Sequence, residues 1–101
     1  MKIYISESAF QDLANGYDFY DAQEKGLGAY FQESLFSDID SLKIYAGVHQ
    51  KYFGKYRMLS RRFPFAIYYT KNDNVIVHAI LDCRRNPVWI KNNLNEEVTR
   101  W

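Results

Sequence analysis

The sequence predicts a single α+β domain, in which an N-terminal helical hairpin packs on a twisted, mainly antiparallel sheet. Two apolar patterns, one in each half of the chain, predict this fold. Apolar residues recur at helical spacing up to about residue 45, and alternating or continuous apolar runs follow up to about residue 81. At 101 residues, with 48% hydrophobic and 18% aromatic side chains, the chain can fill one core and is too short for two. We therefore treat residues 1–101 as one domain.

The helical half begins after a short strand, in which Ile3 and Ile5 alternate around Tyr4. Ser8 and Gln11 resemble a capping box, which predicts that a helix starts there. Its apolar face repeats at intervals of four, four and three residues through Ala9, Leu13, Tyr17 and Tyr20.

A second helix is predicted from Gly28 to Tyr45, after a break at Lys25 and Gly26, where glycine can adopt the left-handed conformation that ends helices. Because the connection is so short, the two helices must lie antiparallel. The apolar face of the second helix consists of Phe31, Leu35, Ile39 and Leu42.

The strand half contains three predicted strands, which gives the order β-α-α-β-β-β. Residues 52–60 form the first, with Gly54 at a turn or bulge, and residues 63–70 and 75–81 form a hairpin through the polar residues 71–74. The last run is apolar on both faces except at His78, which is typical of an interior strand. Asn86 and Pro87 then favour a short C-terminal helical segment. The sequence leaves open whether residues 95–101 are ordered or form a flexible tail.

Composition excludes several classes of protein. Cys83 is the only cysteine, which excludes an internal disulfide framework, and with His49 and His78 as the only histidines the sequence has no zinc-ligand spacing. No run approaches the roughly 20 apolar residues that cross a bilayer. We expect a cytoplasmic protein without a metal or cofactor and without a membrane partner.

Charge is distributed unevenly although the net charge is only +1. Residues 1–42 contain two basic and eight acidic side chains, a net charge of −6, whereas residues 43–101 contain eleven and four, a net charge of +7. The second half is therefore expected to face an anionic partner. Charges that fell by chance on solvated faces are the alternative.

Two stretches carry a family resemblance: Tyr-Arg-Met-Leu-Ser-Arg-Arg-Phe-Pro-Phe-Ala-Ile-Tyr-Tyr at 56–69 and Cys-Arg-Arg-Asn-Pro-Val-Trp at 83–89. With the predicted topology, they resemble the RelE/ParE superfamily of bacterial type II toxins over roughly residues 1–94. The resemblance implies a toxin that forms a hetero-oligomer with a cognate antitoxin carrying an acidic, partly disordered tail. RelE-like members cleave messenger RNA on the ribosome, and ParE-like members interfere with DNA gyrase.

The sequence favours the ParE-like branch and DNA gyrase as the target. Where RelE-like nucleases have an arginine in the first half of the hairpin, this chain has Phe65, and Asp82 stands where relatives often have histidine. RNA cleavage needs a base, an acid and a phosphate stabiliser, and this set is incomplete. The alternative is a ribosome-dependent endoribonuclease with Arg85 as the phosphate stabiliser, assisted by Lys51, Lys55 or Arg57. A degenerate member that only binds an antitoxin is a third possibility.

Two sets of residues are candidates for partner contacts, and none is assigned a catalytic role. The first set is predicted to bind the target and consists of four arginines and a tryptophan: Arg57, Arg61, Arg84, Arg85 and Trp89. Trp89 could instead close the core. The arginine pairs could equally form salt bridges to Asp82 or to the acidic helices. The resemblance implies a groove beside the helices for the antitoxin tail, with candidates Leu13, Tyr17, Tyr20, Phe31 and Leu35.

Overall fold

The structure is a computed structural model that describes the backbone of residues 1–99 and the side chains of residues 1–94. Within this part of the chain, a helical hairpin covers one face of a five-stranded sheet and a C-terminal helix covers part of the other. In chain order the elements are β1 (Ile3–Ile5), α1 (Glu7–Gln23), α2 (Leu27–Asp40), α3 (Leu42–Tyr45), β2 (Lys51–Tyr52), β3 (Lys55–Leu59), β4 (Phe65–Lys71), β5 (Val75–Asp82) and α4 (Pro87–Thr99).

The sheet has the strand order β1-β5-β4-β3-β2. β1 pairs with β5 in parallel, and the other neighbours are antiparallel, so β5 is an interior strand as its apolar sequence predicts. The single strand expected over residues 52–60 is in fact two, β2 and β3. Phe53 and Gly54 have φ values of 53° and 82°, the left-handed conformation that tight two-residue hairpins require.

The helical hairpin forms as predicted, but its first cap lies elsewhere. The Ser6 hydroxyl accepts a hydrogen bond of 3.1 Å from the Ala9 amide, so α1 starts before the expected capping box at Ser8 and Gln11. Gly28 lets α2 approach α1, because a Cβ there would lie 2.7 Å from the Tyr17 carbonyl oxygen.

The second helix is interrupted where the sequence predicts continuity. α2 ends at Asp40 and α3 follows after Ser41, whose hydroxyl donates a 2.6 Å hydrogen bond to the Asp38 carbonyl oxygen. A serine that bonds the preceding turn competes with the regular helical pattern, and apolar spacing alone does not show this competition. Leu42, on the expected apolar face, is still fully buried.

Side chains from the two faces of the sheet form two separate cores. The larger core lies between the sheet and the hairpin and includes Phe31, Leu35, Ile67 and Tyr69. The smaller core lies between the sheet and α4 and consists of Ala66, Tyr68, Ala79, Leu81, Ile90 and Leu94, with Cys83 and Trp89 packed against it.

A β-bulge at His78 shifts the alternation of side chains along β5 by one residue. Tyr68 pairs with Ala79 and Tyr69 pairs with Val77, so His78 has no opposite residue. The His78 ring nitrogen Nε2 lies 2.8 Å from the Thr70 hydroxyl, and its carbonyl accepts a hydrogen bond from the Ser6 hydroxyl. His78 therefore has the structural role expected from its place in an apolar strand.

The C-terminal helix is longer than the short segment that the sequence predicts. The Asn86 side-chain oxygen accepts a 2.7 Å hydrogen bond from the Val88 amide at its start, and the helix continues to Thr99. The prediction of a flexible tail at residues 95–101 is not tested. The side chains of these residues, and the backbone of residues 100 and 101, lie outside the described residues. No helix in the described part of the chain combines the length and hydropathy needed to cross a membrane.

Candidate functional site

The face of the sheet that carries α4 contains the main candidate site, which we call the α4 face. Side chains alternate between the two faces along β3, so Lys55 and Arg57 lie on the α4 face together with Tyr68, the partner of Arg57 on β4. Tyr52 pairs with Lys55 and lies on the same side. This part of the face carries both positive charge and aromatic surface.

Arg57 is held between three groups of this face. Its guanidinium carbon lies 4.9 Å from the centre of the Tyr52 ring, and the group also interacts with the Tyr68 hydroxyl and the Cys83 thiol. Burial opposes the charged form of Arg57, but the interactions with Tyr68, Cys83 and Tyr52 together outweigh it, and the pKa of Arg57 is raised. Arg57 is therefore a fixed positive charge in a half-buried position.

Arg85 and Trp89 form a second cation–aromatic pair at the start of α4. The Arg85 guanidinium carbon lies 4.5 Å from the Trp89 ring centre. Trp89 is half-buried against the smaller core, whereas Arg85 is exposed. Trp89 thus fills the structural role considered for it and also supports a charge at the surface.

The chemistry available on the α4 face suits binding better than proton transfer. Burial raises the pKa of the Tyr68 hydroxyl and of the Cys83 thiol, although Arg57 opposes both shifts. Both groups stay neutral near pH 7. Of the residues proposed for a nuclease, Arg57, Lys55 and Arg85 share this face, whereas Lys51 pairs with Tyr56 and lies on the other side.

Arg84 and Arg61 do not belong to the α4 face, so the predicted target-binding residues do not form one surface. Arg84 makes two hydrogen bonds to the Asp82 carboxylate, of 2.9 Å from Nε and 2.7 Å from a terminal nitrogen, and lies near Tyr20 of α1. The hydrogen bond from Arg84 lowers the pKa of Asp82. The salt-bridge alternative is the one observed for Arg84, and its cause is local: the aspartate lies two residues earlier in the same turn.

Arg61 lies beside α2 on the hairpin side of the molecule. Its backbone amide donates to the buried Asp38 carboxylate at 3.3 Å, and the Ser60 hydroxyl donates to the same oxygen at 2.7 Å. The neighbouring Arg62 guanidinium carbon is 5.8 Å from the Tyr30 ring centre. Together with Ser34, Ser37 and Asp38, the two arginines line a shallow pocket of about 40 Å³.

The residues predicted to bind an antitoxin mostly form the core. Each of Leu13, Tyr20, Phe31 and Leu35 is at most 8% exposed, and only Tyr17 is half-buried. Buried side chains offer no surface to a partner, so the role expected for these four is corrected to core packing. Apolar spacing on a helix identifies the face turned towards the sheet, which is the face these four residues occupy.

Exposed aromatic residues on the hairpin are the surface that sequence reasoning missed. Phe19 is 53% exposed and Tyr30 is 45% exposed. They are connected through Tyr20 and Phe63, with ring centres 5.1, 4.9 and 5.5 Å apart along the series Phe19, Tyr20, Phe63 and Tyr30. We call this row the hairpin aromatic row. The sequence could have indicated this surface, because Phe19 and Tyr30 are aromatic residues at positions that lie between the buried positions of their helices.

The described residues contain no group of three or more His, Cys, Asp or Glu side chains placed to hold a metal ion. Among the side chains of residues 1–94, neither the α4 face nor the hairpin aromatic row has a histidine placed with a carboxylate to hold a metal ion. The two surfaces lie on opposite sides of the molecule, but both combine positive charge with aromatic rings. The arginines are Arg57 and Arg85 on the α4 face and Arg62 beside the hairpin aromatic row.

Comparison with known proteins supports the fold. No family model and no curated protein matches the sequence. The structure is similar to a solved chain described as "Chromosomal ParDE TA system from P. aeruginosa", with a TM-score of 0.71 and 17% identity, over 79% of this chain and 92% of that chain. This protein therefore has the fold of a chain from a ParDE toxin–antitoxin system.

Proposed function

We propose that this protein is the toxin of a type II toxin–antitoxin pair, that it inhibits DNA gyrase by binding it, and that a cognate antitoxin neutralises it. The fold that it shares with a chain of the ParDE system supports the class. The resemblance of residues 56–69 and 83–89 to the RelE/ParE superfamily supports the same class.

The α4 face is the surface that we assign to the target. One observation carries this assignment: Arg57 and Arg85 are each held against an aromatic ring, at 4.9 and 4.5 Å, and neither makes an ion pair with a carboxylate among the described residues. Arginine and aromatic side chains are enriched among the residues that dominate binding at protein interfaces. Because the two guanidinium groups are already oriented, an acidic partner would order few side chains on binding.

The hairpin side is the surface that we assign to the antitoxin. Phe19 and Tyr30 supply exposed aromatic area, and Arg61 and Arg62 supply positive charge beside it. An acidic tail that folds as a helix on binding could lay its apolar side chains on the rings and its carboxylates near the arginines. This placement replaces the buried residues that the sequence suggested for the same role.

Ribosome-dependent cleavage of messenger RNA is the second candidate function. The observation that favours it is that Lys55, Arg57 and Arg85 share one face, where they could hold a phosphate backbone. Cleavage also needs groups that transfer protons. The described groups of this face that could do so, Tyr68 and Cys83, have pKa values that burial raises, which disfavours this function.

Two assays on the purified protein separate the candidates. In the first, the protein is incubated with gyrase, ATP and supercoiled plasmid, and the DNA is examined after treatment with detergent and protease. In the second, it is added to a cell-free translation reaction and the messenger is examined for cleavage at specific positions.

The proposal predicts a loss of gyrase supercoiling or an accumulation of linear plasmid, and an intact messenger. Ribosome-dependent messenger cleavage with unaffected gyrase would refute it in favour of the second candidate. A protein that is inert in both assays and harmless when overproduced alone would point to a degenerate member.

A further inference from the structure

The hairpin of β2 and β3 ends in an exposed tip at the edge of the sheet. We call residues 51–57 the β2–β3 hairpin. β2 is the edge strand, and the pairing of β3 with β4 begins at Tyr56, so the turn lies beyond this pairing. The turn consists of Phe53, which is 43% exposed, and Gly54. Apart from its chain neighbours, no described atom lies within 4 Å of the point that a Cβ on Gly54 would occupy. The tip is therefore accessible to a partner.

Phe53 has a backbone conformation that bulky residues rarely adopt. Its φ of 53° lies in the left-handed region, as does the φ of 82° at Gly54. Two-residue turns with this geometry normally have asparagine, aspartate or glycine at the first position, because these residues tolerate a positive φ. Strained residues of this kind cluster at functional sites. The turn alone therefore does not explain an exposed aromatic ring at this position.

Aromatic surface and positive charge continue behind the tip on the α4 face. Tyr52 is 41% exposed, and the Arg57 guanidinium carbon lies 4.9 Å from its ring centre. Lys55 is the cross-strand partner of Tyr52, which brings their Cβ atoms to within about 5.5 Å of each other. Lys51 lies on the opposite face of the same hairpin, with its Nζ 4.9 Å from the centre of the Tyr56 ring. The tip and the α4 side of the hairpin thus combine two exposed rings with two cations.

The hairpin lies in a stretch of sequence without negative charge. Residues 41–72 contain seven lysines and arginines and no aspartate or glutamate. Neither Lys55 nor Arg57 forms an ion pair with a carboxylate among the described residues, whereas Lys43 is paired with an aspartate 2.8 Å away. A partner of the hairpin is therefore expected to be anionic.

The base of the hairpin is fixed to the sheet. The Gln50 carbonyl oxygen accepts a 2.9 Å hydrogen bond from the Arg57 amide. In the loop before β2, the Gly47 amide donates a 2.9 Å hydrogen bond to the hydroxyl of the buried Tyr69, which also contacts His49 Nδ1. Because the hairpin is held at its base, a partner at the tip would order little backbone on binding.

We propose that the β2–β3 hairpin binds a single strand of nucleic acid. Bases stack on the exposed rings of Phe53 and Tyr52, and phosphates contact Lys55 and Arg57. Aromatic rings beside cations are typical of proteins that bind single strands, because every base has a flat face and every nucleotide carries a negative charge.

Two other partners fit the hairpin less well. In a duplex the bases are already stacked on one another, so the two rings would contact only the backbone. An acidic protein surface would supply negative charge, but its carboxylates are well hydrated and do not stack on rings. A nucleotide of a single strand supplies both the charge and the stacking surface.

The inference does not rest on the proposed function. It adds a second kind of partner at the far edge of the α4 face, because two strands separate β2 from β5, the strand that α4 contacts. Binding is measured without gyrase, so a negative result leaves the inhibition of gyrase to be tested on its own.

Fluorescence anisotropy of a labelled oligothymidylate of about 12 nucleotides, titrated with the full-length protein, tests the proposal. We expect saturable binding that weakens with salt, with a log–log slope of about −1.4 for two phosphate contacts, and weaker binding of a duplex of the same length. Lys55→Ala should halve the slope to about −0.7. Lys51→Ala is the matched control and should leave the slope unchanged, because Lys51 lies on the opposite face of the hairpin.

Phe53→Asn separates binding from the stability of the turn. This variant has the Asn-Gly sequence that the turn prefers, so its midpoint of urea denaturation should rise, while loss of the ring should weaken binding about tenfold. Phe53→Tyr keeps an aromatic ring and should bind like the wild type. A purely structural role for Phe53 predicts instead that stability and binding fall together.

The proposal is overturned if the wild type does not bind the single strand or binds the duplex equally well. It is also overturned if Phe53→Asn binds like the wild type or loses stability together with binding, or if Lys51→Ala changes the slope as much as Lys55→Ala does. Loss of gyrase inhibition in Phe53→Asn with unchanged single-strand binding would identify the tip as a protein contact instead. Amide NMR spectra of each variant confirm that the fold is retained.

Discussion

Arg57 of β3 lies 4.9 Å from the ring of Tyr52 of β2, across the tight hairpin that joins the two strands. The guanidinium therefore lies over a partly exposed ring at the edge of the sheet. It also forms a hydrogen bond with the hydroxyl of the buried Tyr68. Arg57 therefore links the smaller core to the surface that we assign to the target.

Replacing Arg57 with alanine should weaken inhibition of gyrase by about 10- to 30-fold, because truncation of a well-placed interface arginine costs about 2 kcal/mol. The measurement is the concentration of protein that halves the supercoiling rate. Arg84→Ala is the matched control, since Arg84 is paired with Asp82 on the other face. Equal losses in both variants would contradict the assignment of the α4 face. Thermal unfolding of Arg57→Ala shows whether the loss reflects binding, because Tyr68 loses a partner in this variant.

Gly28→Ala should destabilise the protein more than Gly26→Ala. A Cβ at Gly28 would lie 2.7 Å from the Tyr17 carbonyl oxygen, so the two helices must separate, at a cost of about 1–3 kcal/mol. Gly26 has open space around it, and its φ of 95° costs an alanine about 1 kcal/mol. Chemical denaturation measures both free energies of unfolding. A larger loss in Gly26→Ala would mean that the helices do not approach each other at Gly28.

Tyr69→Phe should lower the free energy of unfolding by about 1–3 kcal/mol, because the Gly47 amide loses its hydrogen-bond acceptor and His49 Nδ1 loses the Tyr69 hydroxyl as its hydrogen-bond partner. Tyr56→Phe keeps the stacked ring and serves as the control, with an expected change of less than about 0.5 kcal/mol. Urea denaturation of both variants provides the comparison. Equal stabilities for the two would show that the Tyr69 hydroxyl does not hold the loop.

Stability should fall as the pH decreases through the titration range of His49. Burial lowers the folded-state pKa of His49 below its ordinary value of 6.5, so the unfolded chain binds a proton more readily than the folded chain does. The contribution is fully present above about pH 7.5 and is lost as the pH falls through 6.5 towards the folded-state pKa. His49→Gln removes this contribution. The difference in unfolding free energy between wild type and variant, measured from pH 8 to pH 5, should shrink towards acid, and a constant difference would refute the assignment.

The sequence predicted the secondary structure well where the apolar pattern is regular. The two long helices, the hairpin of β4 and β5 and the interior position of β5 follow from spacing and burial, and the structure contains all of them. The prediction failed where one or two residues change the backbone conformation locally. Ser41 interrupts the second helix through its hydroxyl, and Phe53 and Gly54 divide one expected strand into two.

The candidate sites were harder to predict, because the face of the sheet on which each side chain lies depends on the exact strand pairing and on local contacts. Arg84 and Arg85 are neighbours in sequence, yet one pairs with Asp82 near α1 and the other stacks on Trp89 of α4. The bulge at His78 also shifts the alternation of β5 by one residue. Contacts between His49 and Tyr69, which are 20 residues apart, have no signal in the sequence.

Charge reversal on the two faces tests the central claim most directly, by measuring equilibrium binding to purified gyrase. Arg85 and Arg62 are matched, because both are exposed and both lie over an aromatic ring, at 4.5 and 5.8 Å. We predict that Arg85→Glu loses binding by at least tenfold, as expected when like charges meet at an interface, and that Arg62→Glu binds like the wild type. Loss of gyrase binding in Arg62→Glu with retention in Arg85→Glu would contradict the account.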